Sequence, residues 1–194
     1  MVVNVKDIIE VGKNLYNQKL VSGKSGNISI RVKRDGTDII AITPTLRSLG
    51  DLNEEDIVLV DLNGNLLTSG TPSSELNLHL EVYKVRDDVN AIVHTHSPYA
   101  TGFSFSSKKI KRLEGFGKIK TPFLKEIDYI TPGSIELAKS VGENIGDEDV
   151  VVLKEHGILT VSENIKEAES LANFIEEIAK TQFVSQMLNL NDNK

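Results

Sequence analysis

The tightest constraint on this chain is the short apolar run Ala91-Ile92-Val93, which ends in His94-Thr95-His96 and is stopped by Pro98. Such a run reads as a buried strand. In a strand, residues i and i+2 point to the same face, so His94 and His96 can converge on one ion. A third histidine, His156, closely follows a second run of this kind, Val150-Val151-Val152-Leu153. Glu75 stands where Pro72-Ser73-Ser74 turns into a predicted helix. Neutral imidazole is a good zinc ligand, and three protein ligands with one open position make a catalytic site. The expected constellation is His94, His96 and His156 around a divalent cation, zinc for preference. Glu75 serves as the acid/base and closes the metal set when no substrate is bound. A lone His-x-His is common in structural settings; the later His-Gly and the helix-start glutamate set this one apart. His79 shares the helix face of Glu75 and is expected to support the site or pack in the core rather than to ligate the ion.

The chain has no cysteine, which excludes disulfides, thiolate metal sites and a cysteine nucleophile. Any metal must therefore be held by His, Asp or Glu. At 194 residues and 39% hydrophobic, the chain is expected to form a single domain spanning 1–194 with a sizeable core. The net charge of −6 argues against a nucleic-acid surface. No apolar run approaches membrane-spanning length. Lys6, Asp7 and Glu10 interrupt any secretory leader core, so the cytoplasm is the expected location.

Residues 5–20 carry apolar positions at helical spacing. The loop Val21–Gly26 then leads into Asn27-Ile28-Ser29-Ile30-Arg31-Val32, whose period of two predicts a strand. Asp35-Gly36 predicts a hairpin turn back into Ile39–Thr43, and Asn63-Gly64 a second one between Ile57–Asp61 and Leu66-Leu67. Gly23-x-x-Gly26 leads from a helix into a strand, the reverse of a nucleotide phosphate loop. Gly26 would let backbone approach a ligand, and Asn27 offers an amide donor. Ser73 or Ser74 is expected to cap a buried helix running to about Arg86, whose start is a natural anion site. The basic segment Lys108–Lys120 reads as a solvated loop. Gly133-Ser134 starts a further helix, Ser162 is expected to cap a long final one, and the chain should fray from Asn189. Hairpins bracketed by helices suit an α/β fold with a central mixed, largely antiparallel sheet and helices on both faces.

Five segments, Ser25-Gly26-Asn27-Ile28-Ser29, Ile42-Thr43-Pro44-Thr45, Pro72-Ser73-Ser74-Glu75, Ala91–His96 and His156-Gly157, together resemble the class II aldolase/adducin family in its own order. The resemblance is strongest to members that cleave L-fuculose 1-phosphate. It implies the three-layer fold of that family and one zinc ion per subunit. It also implies a homotetramer with active sites at subunit interfaces, acting on a phosphorylated sugar. The implied reaction is cleavage of a ketose 1-phosphate to dihydroxyacetone phosphate and an aldehyde such as lactaldehyde, through a metal-stabilised enediolate. Residue by residue, His94, His96 and His156 match the metal ligands and Glu75 the catalytic glutamate. Gly26, Asn27, Thr45, Ser73 and Ser74 match phosphate-binding positions, and Leu46 stands where the family has glycine. A tyrosine of the family expected near Glu114-Gly115-Phe116 is absent. Related reactions on the same site are sugar-phosphate 4-epimerisation and methylthioribulose-1-phosphate dehydration. A non-enzymatic adducin-like module should have lost the three histidines.

Overall fold

The computed structural model describes residues 5–34, 36–113 and 121–191. In chain order the elements are α1 (Lys6–Asn17), β1 (Asn27–Arg34), β2 (Thr37–Ile42), β3 (Val58–Asp61), α2 (Leu76–Val85), β4 (Ala91–Thr95), α3 (Pro98–Ser104), β5 (Lys125–Ile127), α4 (Ile135–Asn144), β6 (Val150–Leu153), β7 (Gly157–Ser162) and α5 (Ile165–Asn191), with two short 3-10 turns before β3. The strands form one sheet in the order β3-β2-β1-β4-β7-β6-β5. All neighbours are antiparallel except β5 and β6.

The alternation of strand side chains splits the apolar residues between two faces. Ile40, Ile42, Ile92, Val151 and Leu153 face Leu78 and Val82 of α2 and Leu137 and Val141 of α4. Ala41, Ala91 and Val93 face the other way, onto Ile8, Val11 and Leu15 of α1 and Ala168 and Ala172 of α5. Val150, Val152 and Ile158 continue that second face against Phe103 of α3 and Ile175 and Ile178 of α5. Helices thus cover both faces of a mixed, mostly antiparallel sheet, as expected. Among the described residues no helix is long and apolar enough to cross a membrane.

Several local expectations are corrected. Helix α1 ends at Asn17 rather than near residue 20, because Lys19 turns left-handed (φ 61) and the Leu20 N–H closes on the Leu15 carbonyl at 2.9 Å. Leu66-Leu67 forms no strand; after Asn63-Gly64 an isolated bridge joins Leu66 to Val60, and Leu67 N–H donates to Leu59 O. The β1–β2 hairpin forms as expected around Gly36 (φ 80), while Asp35 lies outside the described residues. Helix α3 was not foreseen. Pro98 opens its first turn, and the Glu176 carboxylate, far off in sequence, accepts the Tyr99 and Ala100 N–H groups at 3.0 and 2.9 Å. Helix α5 begins at Ile165 behind Asn164, whose side chain accepts the Glu167 N–H; Ser162 instead ends β7. That helix continues to Asn191, past the expected fraying point. In the basic segment Arg112 is buried and ion-paired with Glu148, so it is no solvated side chain. Lys118 and Lys120 lie outside the described residues.

Gly157 opens β7 where it crosses the end of β4. A Cβ there would lie 2.4 Å from the Thr95 carbonyl oxygen. Gly157→Ala is expected to cost about 1–3 kcal/mol, since backbone must move to admit the methyl group. Denaturant unfolding measures it, and wild-type stability in this variant would contradict the packing described.

Candidate functional site

Strand pairing brings the histidines together. His94 lies at the end of β4 with Asn27 of β1 opposite it on one side and Leu159 of β7 on the other. Its Nδ1 donates to the Ile158 carbonyl at 2.9 Å. The imidazole is wholly buried, and burial pushes its pKa well below the usual histidine value. A neutral ring whose Nδ1 carries the hydrogen leaves a bare lone pair on Nε2. His96 follows just beyond the strand, and His156 sits in the β6–β7 turn after Glu155, which is left-handed (φ 56). The Nε2 atoms of His96 and His156 lie 2.9 and 3.2 Å from that of His94. Burial lowers the pKa of both these rings as well.

Glu75 completes the cluster. It immediately precedes α2, where Ser73 Oγ accepts its N–H at 3.2 Å. The helix therefore starts after Glu75, one residue later than a cap at Ser74 and two later than a cap at Ser73 would imply. Glu75 Oε2 lies 3.2 Å from His94 Nε2, and Oε1 lies 3.4 Å from His156 Nε2. Oε2 accepts a hydrogen bond from Asn27 Nδ2 at 2.8 Å, whereas buried Oε1 accepts none among the described residues. The ligand atoms of Glu75, His94, His96 and His156 all lie within 4.8 Å of one another. Zinc bonds of about 2.0–2.1 Å in tetrahedral array put ligand atoms about 3.3 Å apart, so this donor set fits such a cation. His79 stands outside the set: its Nε2 lies 2.5 Å from Asn27 Oδ1.

A cavity of about 210 Å³ opens beside this cluster. It is lined by Gly26, Asn27, Thr45, Leu46, Ser73, Ser74, Glu75, His96 and His156, so every site residue singled out in the sequence reaches it except His94, which lies behind. Backbone bonds hold its rim together: Thr45 N–H to Thr71 O at 3.1 Å and Ser73 N–H to Thr43 O at 3.0 Å pin the two Pro-containing turns side by side. Gly26 is left-handed (φ 80), and a Cβ there would sit 2.5 Å from Val21 Cγ1 and 2.9 Å from His94 O. Leu46 takes a left-handed conformation that favours glycine (φ 58), with its side chain in solvent. Sequence reasoning missed Pro132 and Gly133, which close the far wall beside Ser74. The Pro-Gly pair was legible as a turn, but nothing local says what the turn faces. Lys24, which the sequence marks only as loop, and Ser25, which opens the first resemblance segment, also lie on the rim.

Comparison with known proteins gives a consistent picture. A family model described as Class II Aldolase and Adducin N-terminal domain matches residues 6–183. The L-fuculose phosphate aldolase of Methanococcus maripaludis is 42% identical over 96% of this chain and 99% of its own length. The 5-deoxy-D-ribulose 1-phosphate aldolase of Bacillus thuringiensis is 32% identical over 94% of this chain and 85% of its own. A solved L-fuculose 1-phosphate aldolase structure superposes with a TM-score of 0.88 at 30% identity, covering 97% of this chain and 89% of the other.

Burial of these rings has a consequence for stability. Imidazoles in the unfolded chain titrate near 6.5, whereas in the fold burial holds His79 down at about 3. Between those values the unfolded chain binds more protons than the native one, so stability falls as pH drops below about 6.5. One fully shifted histidine gives a slope of up to about 1.4 kcal/mol per pH unit. Denaturant unfolding of metal-free protein from about pH 7 to about pH 5 should show this decline; a flat profile would contradict neutral burial.

Proposed function

The chain belongs to the class II aldolase and adducin family, it is a lyase, and we propose that it is a zinc-dependent aldolase acting on a ketose 1-phosphate. L-fuculose 1-phosphate is the first candidate substrate, with dihydroxyacetone phosphate and lactaldehyde as products. The observation that carries this reading is the meeting of three neutral imidazoles and one carboxylate beside a cavity walled by hydroxyls, an amide and a helix start. The names of the relatives, both sugar phosphate aldolases and one of them a 1-phosphate aldolase, support the substrate class.

His94, His96 and His156 would hold one zinc ion per chain, with Glu75 as fourth donor in the absence of substrate. When bound, the cation supplies Lewis acidity that stabilises negative charge developing on the ketose oxygens. The remaining work falls to side chains. Ser73, Ser74, Asn27, Thr45 and the backbone at Gly26 and Leu46 hold the phosphate, which anchors the sugar while its other end reacts. In cleavage the C4 hydroxyl gives its proton to solvent as its oxygen becomes the aldehyde carbonyl, the C3–C4 bond breaks with its electron pair left on C3, and the Glu75 carboxyl, having taken a proton from solvent, delivers it to C3. In synthesis Glu75 removes that proton. The chain acts as one domain and assembles as a homotetramer with the sites at subunit interfaces. Exposed Phe183, Met187, Leu188 and Leu190 on α5 offer apolar surface for such assembly.

Assay of a panel of phosphorylated ketoses tests this. Release of dihydroxyacetone phosphate and an aldehyde is expected, lost on chelation and restored by zinc. Loss of water, or an epimer with no aldehyde released, would assign the site to a dehydratase or an epimerase instead. Glu75→Gln should lower kcat by at least about 100-fold with little change in KM; unchanged kcat would remove Glu75 from the chemistry.

A further inference from the structure

A polar stripe runs through the layer between β1 and α2. On β1, Asn27, Ser29 and Arg31 alternate onto the face that meets the helix. From the N-cap of α2 onward, Glu75, His79 and Tyr83 follow at intervals of four. Two residues of strand advance about 6.7 Å and four residues of helix about 6 Å, so the two series stay in step. Tyr83 Oη lies 2.8 Å from Ser29 Oγ, and Ser29 Oγ lies 2.6 Å from His79 Nδ1. His79 Nε2 lies 2.5 Å from Asn27 Oδ1, and Asn27 Nδ2 lies 2.8 Å from Glu75 Oε2. All five side chains are buried.

The donors in this chain follow from chemistry. An ionised carboxylate only accepts, so Asn27 must turn its NH2 toward Glu75. The Asn27 carbonyl must then accept, which puts a hydrogen on His79 Nε2. A neutral imidazole carries one N–H, so His79 Nδ1 accepts from the Ser29 hydroxyl, and Ser29 Oγ in turn accepts from Tyr83. The His79 ring is wholly buried and its two nitrogens face a hydroxyl and an amide oxygen rather than a carboxylate, which favours the neutral form. Arg31 anchors the far end, donating to the Tyr83 carbonyl at 2.8 Å with its guanidinium 5.1 Å from the centre of the Tyr83 ring.

We propose that Tyr83, Ser29 and His79 are positioning residues: their one-way hydrogen-bond chain fixes the Asn27 amide so that Glu75 is held by Oε2 and keeps Oε1 for the proton. This rests on the aldolase reading above. Without the His79 N–H, the Asn27 amide is free to turn over and set its oxygen against the carboxylate. Glu75 would then lose its aim, and displacement of a reacting group by an ångström is costly to rate. A chain of aligned donors also polarises along its length, strengthening the last bond.

Two measurements test the proposal. In the metal-free protein, a long-range 1H–15N NMR spectrum at neutral pH should show His79 protonated on Nε2 with Nδ1 accepting; protonation on Nδ1 would overturn the chain. In zinc-loaded protein, His79→Gln keeps an N–H for Asn27 while His79→Leu keeps only bulk. His79→Leu is expected to lower kcat at least about ten-fold with KM for the ketose phosphate within about two-fold, and His79→Gln to recover most of the loss. Equal losses in both variants, or none in His79→Leu, would reduce His79 to packing and overturn the proposal. A wild-type protein that cleaves no ketose phosphate would sink the aldolase reading, while the NMR result would still decide the direction of the chain.

Discussion

Crowding of unshared electron pairs is the condition that the rest of this structure serves. Three imidazole nitrogens and a carboxylate face one another across less than 4.8 Å, in a place that burial keeps hostile to added protons. Lone pairs at such distances repel unless a cation lies between them, and holding them there takes rigid support. The sheet supplies it. Strand β4 sits between β1 and β7, so His94 is fixed by ladder bonds on both sides and by its own bond to Ile158 O. His156 comes from the turn that joins β7 to β6, and Glu75 from the start of the helix laid across β1. Each donor thus sits at the end of an element whose body is in the core.

The same layout explains the cavity. Residues following β2 and preceding α2 run side by side because Thr43, Thr45, Thr71 and Ser73 exchange backbone hydrogen bonds. These bonds set hydroxyls and a helix start around a space whose floor is the histidine and glutamate cluster. An anionic group held by that rim would place the attached carbon chain at the cluster. Leu46, left-handed with its side chain outside, shows how a position suited to glycine can be filled without blocking the cavity.

Much of the site was legible because its signals are local. His94 and His96 follow from the period of a strand, and Glu75 from a turn rich in helix-capping residues. The mixed sheet followed from hairpin turns and short apolar runs. What could not be read depends on distant partners. Helix α3 needs the Glu176 carboxylate for its first N–H groups, and three-residue β5 exists only by pairing with β6. Arg112, in a segment whose charge reads as a solvated loop, is buried because distant Glu148 pairs with it. The alternation of β1 also misleads. Ile28 and the polar series Asn27, Ser29 and Arg31 are all buried, because helices cover both sides of the strand. A pattern that reads as inside and outside is in fact two interiors, one apolar and one hydrogen-bonded.

Cation binding is the most direct trial of this account. Protein loaded with zinc and dialysed free of excess should retain one zinc ion per chain by elemental analysis, and His94→Ala protein should retain almost none. Zinc absent from the dialysed wild type, or held equally well by the variant, would contradict the central claim that these imidazoles converge to bind a metal.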